Sequence, residues 1–447
     1  MKVRNIPFYV TLLACLLPPL AALLDSKSLT YIPEVVLMIF YVGYLGTTDG
    51  QRRCSRLGLG WALLLLLIML HAMIQYYVAG GHGSIGAISV IILTVIFIQL
   101  LSGPTVNNHP ASIVQQLSFL YALQIIVLFS ELGIRLAGYG DTLVRLLGDA
   151  SEVTKYKTYN SAAFLWYLGF DESFWGLNGL LLGSQSGGQV MVCAMTLFAP
   201  FYHWPMLSGT RNLLLFLTAA MGALCAINMT SSLIFTLIAF LLIYGLPISR
   251  LGTRFIRITA PVVLILFGAQ IGGLLIYRIT SRSDFEVYLE AYMPPIMVLK
   301  DMSWFERLFG LGRFEIRAAF GDFGLAMLVN QIGAVLVVAM GATIIGIVYG
   351  GLREAAKAVR AKYAGQNTEE REPWAWLATV NALLVIIWAA SLIHYTPAIE
   401  LGGRELFALH CAVTCVSTAR LRELRKRGSE QMAATPYTST ANSNNIL

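Results

Sequence analysis

Runs of apolar residues, separated by short polar segments, recur from one end of the chain to the other. A helix needs about 20 residues to cross the ~30 Å hydrocarbon core of a bilayer, and the runs have about that length. Lipid offers the backbone no hydrogen-bond partner, so each run predicts a helix. The pattern therefore predicts an all-α, polytopic membrane protein with about twelve spans, at 6–24, 30–47, 59–79, 85–103, 113–136, 178–202, 212–228, 229–247, 258–277, 323–350, 374–395 and 404–420.

One stretch, 213–247, allows two interpretations: two short spans joined by a tight turn, or one long tilted helix that would invert everything after it. Two spans and a cytoplasmic N-terminus place more than half of the 31 Lys and Arg on the cytoplasmic side. The positive-inside rule favours that arrangement. We therefore expect both termini to be cytoplasmic, with 6–24 retained as a first span and not cleaved as a signal peptide.

Two long loops then lie on the extracytoplasmic side, at about 137–177 and 278–322. Residues 1–428 are predicted to form one transmembrane domain, and the polar tail 429–447 is predicted to be disordered. The second loop contains the sequence WFERLFGLGRFEIRAAFGDFG, Trp304–Gly324, which gathers six charges in a chain that is only 12% charged. Topology does not require charges on this side, so they indicate a function.

Composition and motifs exclude several kinds of chemistry. The sequence has no GxxxxGK[ST] phosphate loop, no HExxH zinc motif and no GxSxG nucleophile turn. Most of the six cysteines fall in apolar spans, where they are typical small core residues. The formal charge of +7 is accounted for by topology, and therefore does not indicate nucleic acid. We predict neither a metal nor a nucleotide cofactor.

Two pairs of arginines make the second loop a candidate anion site. Arg278 and Arg282 are four residues apart at the end of the ninth span, and Arg313 and Arg317 form a second such pair. On a helix, residues at this spacing share a face. The planar guanidinium suits bidentate recognition of phosphate, so we predict a diphosphate site. The alternative is that single arginines here extend from helix ends to the headgroups.

The first loop combines aromatic residues with charged ones. Arg145 adds a cation, and Trp166 lies close to the carboxylates Asp171 and Glu172. Aromatic rings beside carboxylates are typical of sugar-binding sites, but aromatic residues also anchor proteins at membrane interfaces. For Trp166 both interpretations stay open.

The chain resembles a family at this point, the O-antigen polymerase and ligase superfamily of the Wzy and WaaL types. Segment 176–192, GLNGLLLGSQSGGQVMV, looks like the family's "RxxGlfgnPNxla" segment, without Pro-Asn. LFGLG at 308–312 is similar to its "PlfGvG" turn, and GDFGLAMLVNQIGAVL at 321–336 is similar to its "DNxyLxxLxxxG" helix start. Two departures are INMTSSLIF at 227–235, which has no Arg where many members have "TGSRg", and the missing ligase His, whose place Asp322 takes.

The resemblance implies a GT-C-like membrane glycosyltransferase of the bacterial inner membrane with a periplasmic active site. It implies transfer of an undecaprenyl-diphosphate-linked glycan onto another carrier-linked repeat unit, with a flippase and chain-length regulators as partners. The missing His favours a polymerase over a ligase, and exopolysaccharide over capsule or O-antigen as the product. A lipid or solute transporter is the alternative from a different class. It would place more charge in mid-membrane, where Glu34 and His71 are the chief ionisable residues.

The sequence also offers candidates for the base that such a transfer needs. Asp322 opens the tenth span and occupies the family's Asp position, while Asp171 and Glu172 are the candidates from the first loop. Asp322 at a helix start is equally typical of an N-cap, which contributes about 1 kcal/mol to its helix. Both roles of Asp322 stay open.

Overall fold

The computed structural model of the protein describes the following residues: 5–24, 32–45, 85–102, 110–139, 180, 189–190, 193–194, 196–198, 293, 296–310, 324–364, 369–394 and 402–434. Within these ranges the backbone is helical and contains no strand. The described part of the chain therefore agrees with the predicted all-α class.

Within the described part of the chain, eight helices have defined bounds. They are α1 (Ile6–Leu23), α2 (Ile32–Leu45), α3 (Ile85–Leu101), α4 (Pro110–Leu136), α5 (Trp304–Phe309), α6 (Gly324–Tyr363), α7 (Arg371–His394) and α8 (Gly403–Ala434). Within the described ranges, three segments are long and apolar enough to cross a membrane: Pro110–Ile134, Gly324–Lys362 and Arg371–Ala390. Shorter apolar helices occur at Ile6–Leu20 and Ser89–Leu101. These helices have the composition of a membrane protein.

The predicted spans at 6–24, 30–47, 85–103, 113–136, 323–350, 374–395 and 404–420 each coincide with a described helix. The spans at 59–79, 212–228, 229–247 and 258–277 lie outside the described residues, and only parts of 178–202 are described. The number twelve and the layout of the loops therefore stay predictions.

Two helices are longer than their apolar runs. The run at 323–350 lies in α6, which continues to Tyr363, and the run at 404–420 lies in α8, which continues to Ala434. α8 thus includes the first residues of the tail predicted to be disordered. Both extensions are largely polar and rich in strong helix formers, and they add only a few apolar side chains to the core: Ala355, Ala358, Leu421 and Leu424. Hydropathy detects only the apolar part of a helix, and it therefore underestimates the length of helices with polar ends.

The extensions of α6 and α8 are joined by an ion-pair cluster around Glu354. This carboxylate is buried and accepts hydrogen bonds from Lys357 Nζ at 2.9 Å and from Arg425 Nη1 at 2.7 Å. The Arg422 guanidinium lies 3.8 Å away. The two arginines come from α8, so the cluster fixes the register of α8 against α6 outside the apolar region.

The hydrophobic core lies where α7 packs between α6 and α8, with α1, α3 and α4 against the same bundle. Trp388 of α7 and Phe407 of α8 are fully buried at its centre. Four described cysteines form no disulfide, and Cys15, Cys193 and Cys411 are buried in this core. α6 has its other face exposed, so it lies at the edge of the described bundle.

Candidate functional site

The predicted functional residues fall on parts of the chain that the structure does not describe. These are the candidate bases Asp322, Glu172 and Asp171, and the candidate binding residues Arg278, Arg282, Arg313, Arg317, Arg145 and Trp166. Their roles stay predictions. The residues immediately before and after segment 311–323 are described, so the structure shows which helices this segment connects.

The attachment begins with α5, a short helix with a well-formed N-terminus. Ser303 and Glu306 form a capping box: the Glu306 backbone N–H donates to Ser303 Oγ at 3.3 Å, and the Ser303 backbone N–H donates to Glu306 Oε2 at 2.8 Å. Arg307 Nη2 donates to the carbonyl oxygen of Lys300 at 2.7 Å. Such a box satisfies backbone donors at a helix start, so this segment has one defined shape.

α5 ends at Gly310, whose backbone lies directly against Gly333 inside α6. A Cβ placed on Gly310 would lie 2.5 Å from the carbonyl oxygen of Gln331 and 2.7 Å from the nitrogen of Gly333. A Cβ on Gly333 would in turn overlap the backbone from Leu308 to Gly310. Both glycines have φ near +81°, a conformation that other residues rarely adopt. Two glycines are therefore required for this contact.

The contact joins two of the three segments that carry the family resemblance. Gly310 belongs to the LFGLG turn, and Gly333 belongs to the helix start at 321–336. The sequence contains no pattern that predicts a contact between these two glycines, and only the structure shows it.

α6 is broken at the contact. Gly333 has φ 81° and ψ 157°, which interrupts the helix nine residues after it begins at Gly324. The two residues Asn330 and Gln331 just before the break are buried. Among the described residues, Gln331 Oε1 has no hydrogen-bond partner. A broken helix with buried amides within a membrane-spanning segment is an arrangement that membrane proteins use to line polar sites.

The described residues on either side of segment 311–323 both belong to this region. Gly310 contacts Gly333, and Gly324 is the first residue of α6, about 13 Å along the helix from Gly333. The positions of Arg313 and Asp322 themselves lie outside the described residues.

A second polar group, which the sequence analysis missed, lies inside the bundle. Tyr121 of α4 places its hydroxyl 2.7 Å from His410 Nε2 of α8, and His410 Nδ1 lies 2.8 Å from Asn381 Oδ1 of α7. The Tyr121 and His410 rings are stacked with their centroids 5.8 Å apart. All three side chains are essentially inaccessible to solvent. One chain of hydrogen bonds thus links three helices.

The hydrogen bonds define the tautomer of His410. Asn381 Nδ2 donates to the Leu377 carbonyl oxygen at 2.9 Å, which directs Oδ1 toward the imidazole. An amide oxygen only accepts, so His410 Nδ1 bears the proton and Nε2 accepts from the Tyr121 hydroxyl. The network is fully satisfied with a neutral imidazole, which suits a site within the apolar core.

No protein-family model and no curated protein matches this chain.

A further buried pair occupies the start of α8. Glu405 is fully buried and accepts from the backbone N–H of Gly402 at 2.7 Å and from Arg404 Nε at 2.8 Å. A carboxylate in the first turn is favoured by the helix dipole, so the pair stabilises the helix start. Within the described ranges, no group of three His, Cys, Asp or Glu side chains could hold a metal ion.

A signal for the missed residues was present in the sequence. His410 lies in the run LFALHCAVTCV, which contains no other histidine and no Asp, Glu, Lys or Arg. An ionisable residue inside an apolar run is by default a candidate for a specific buried role. Glu34 and His71 are therefore not the only ionisable residues expected inside the apolar runs, since His410 belongs with them.

Proposed function

We propose that this protein is a polysaccharide polymerase that joins undecaprenyl-diphosphate-linked oligosaccharide repeat units at the extracytoplasmic face of the bacterial cytoplasmic membrane. The observation that supports it is the contact of Gly310 with Gly333. Gly310, which precedes the arginine-bearing segment 311–323, lies against α6 beside a helix break with buried amides, and Gly324, which follows that segment, begins the same helix. Cations held at a membrane boundary suit a lipid-linked diphosphate.

The chemistry requires no metal or nucleotide. A hydroxyl of the acceptor sugar attacks the anomeric carbon of the donor, and the bond from that carbon to the diphosphate breaks. Asp322 takes the hydroxyl proton as the new bond forms, with Glu172 or Asp171 as alternative bases. Arg278, Arg282, Arg313 and Arg317 stabilise the charge that develops on the leaving diphosphate. Arg145 and Trp166 belong to the side that binds the acceptor.

A transporter is the second candidate function, and two observations favour it. α6 is broken inside a candidate span, and the His410 network lies buried between helices. Discontinuous helices and ionisable residues within the membrane are both typical of transporters. A ligase that moves finished glycan onto another acceptor is the alternative within the resembling family.

The glycan made by a deletion strain distinguishes the three functions. Single repeat units on the carrier are expected if the protein is a polymerase. Full-length polymer that is not attached to its acceptor would instead identify a ligase. Absence of any extracytoplasmic product would identify a transporter. The carrier-linked species are separated by chromatography and their masses measured.

The proposed orientation predicts the labelling of four positions by a membrane-impermeant thiol reagent in intact cells. Single cysteines replacing Lys155 and Arg307 are expected to react, and cysteines replacing Arg250 and Arg360 are expected to be protected until the cells are opened. The reason is that basic residues in short loops are retained in the cytoplasm. A protected cysteine at 155 with a reactive one at 250 would reverse the orientation after the fifth span.

The diphosphate site predicts that Arg282→Ala and Arg317→Ala each abolish polymer while the protein stays in the membrane. Lysine at either position is expected to restore little, because an ammonium group lacks the planar fork that binds phosphate in a bidentate manner. Polymer is measured on gels and protein by immunoblotting of membranes. Polymer of normal length in both alanine variants would exclude these arginines from the site.

The two roles of Asp322 separate in Asp322→Asn. Asparagine caps a helix as well as aspartate does, but it cannot accept the proton. If Asp322 is the base, the variant accumulates single carrier-linked repeat units at normal protein level. Full-length polymer in this variant would show that Asp322 acts only as a cap.

A further inference from the structure

The segment that precedes α6 and its break has many exposed apolar side chains. Residues 296–301 are helical, and α5 follows them after Met302 and Ser303. Six large apolar side chains in and beside these helices are exposed: Met293, Ile296, Met297, Trp304, Phe305 and Phe309. Trp304 is 71% exposed and Phe305 58% exposed. A water-soluble loop rarely presents so many large apolar residues together.

The aromatic residues form one continuous surface. The Phe305 and Phe309 ring centroids are 4.8 Å apart, and Trp304 meets Phe305 edge to face at 6.1 Å. The opposite side of the segment contains Val298 and Met302, which are buried. The capping box and the Arg307 bond to Lys300 give the segment a defined shape, so these rings stay on the outer side.

The contact with α6 sets the depth of this surface. Gly310 directly follows Phe309 and lies against Gly333, which is inside the candidate span Gly324–Lys362. The aromatic surface is therefore close to the level of the span and not far out in the aqueous loop. Lys300, Asp301, Glu306 and Arg307 in the same segment add charges that suit the headgroup region. An apolar face with aromatic rings beside charged residues is typical of an interfacial element.

We propose that the described residues 296–309 are an interfacial anchor whose aromatic surface inserts between the phospholipids of the leaflet on that side of the membrane. This inference concerns phospholipid and is independent of the proposed enzymatic activity.

Site-specific photocrosslinking tests the proposal with the full-length protein. A benzophenone amino acid replaces Trp304 in one variant and Phe309 in a second, and each purified protein is reconstituted into vesicles of phosphatidylcholine and phosphatidylglycerol alone. After illumination, both variants are expected to gain the mass of one phospholipid. The control replaces Glu430 of α8, which is exposed but lies beyond the apolar part of its helix. The control is expected to gain no lipid.

Two results would overturn the proposal. If positions 304 and 309 yield no more phospholipid adduct than position 430, the surface does not contact the bilayer. If both positions instead yield crosslinked dimers, the aromatic surface is an interface between two copies of this chain. The carrier lipid is absent from these vesicles, so an adduct identifies bilayer phospholipid and not the proposed substrate.

Discussion

Replacing Gly333 by alanine is expected to abolish polymer formation, with output reduced by about 100-fold, while the protein still reaches the membrane. Misplacement of a site by about 1 Å is sufficient for a loss of this size. Gly333 has φ 81° and ψ 157°, a backbone region that is essentially restricted to glycine, so alanine there costs about 1–3 kcal/mol, and its Cβ would overlap the backbone of α5. α6 can keep its break, in which case the Cβ pushes α5 away, or α6 can straighten, in which case the contact is lost. We expect α5 and the chain that follows it to be displaced in both cases.

Gly346→Ala is the matched control within the same helix. A Cβ on Gly346 meets nothing within 4 Å, and its backbone is helical. This variant is expected to keep full activity and to gain up to about 1 kcal/mol of stability, because alanine favours the helix. Polymer length is measured in the complemented deletion strain, with protein level measured on the same membranes. Normal polymer from Gly333→Ala would mean that the contact is not needed for the proposed activity.

His410→Leu is expected to lower the free energy of unfolding by about 1–3 kcal/mol. The substitution leaves Asn381 Oδ1 buried without its imidazole partner, which costs about that much, while the Tyr121 hydroxyl loses His410 but keeps its interactions with Trp388 and Cys193. Hydrogen bonds between membrane helices average nearer 0.6 kcal/mol, so the lower part of this range is expected. Unfolding is followed in detergent as a function of denaturant.

The triple variant Tyr121→Phe, Asn381→Leu, His410→Leu is the companion experiment. It removes the three linked polar side chains of Tyr121, His410 and Asn381 together, and an apolar replacement of a whole polar group is often close to neutral. We expect it to recover most of the stability lost in His410→Leu. Thr379→Val is a control on α7, because its hydroxyl bonds only the Ala375 carbonyl oxygen of its own helix. If the triple variant is less stable than His410→Leu, the effect does not arise from orphaned polar groups.

The triple variant also separates the two candidate functions. The polymerase proposal assigns no chemistry to His410, so a stable triple variant should still make polymer. A transporter that uses the buried imidazole would lose its activity although the fold is intact. Loss of polymer from a stable triple variant would therefore weaken the polymerase proposal.

Sequence reasoning located the candidate site only in part. It identified the segment around Trp304–Gly324 as unusual, because charges in an apolar chain are visible without a structure. It also identified both segments that meet at Gly310 and Gly333 as similar to family motifs. It did not predict their contact, because glycine has no side chain whose pattern could indicate a partner. The individual site residues stay predictions, since they lie outside the described residues.

The sequence by itself determined the helical class and the positions of the described apolar helices. Both depend on local properties: apolar length, and the need of the backbone to satisfy its own hydrogen bonds in lipid. The tertiary structure decided the break in α6, the contact of α5 with it, and the network that links residues 289 positions apart, Tyr121 and His410. It also decided how far α6 and α8 continue as helix. These features depend on which surfaces meet when helices pack, and that information is not contained in the periodicity of any one segment.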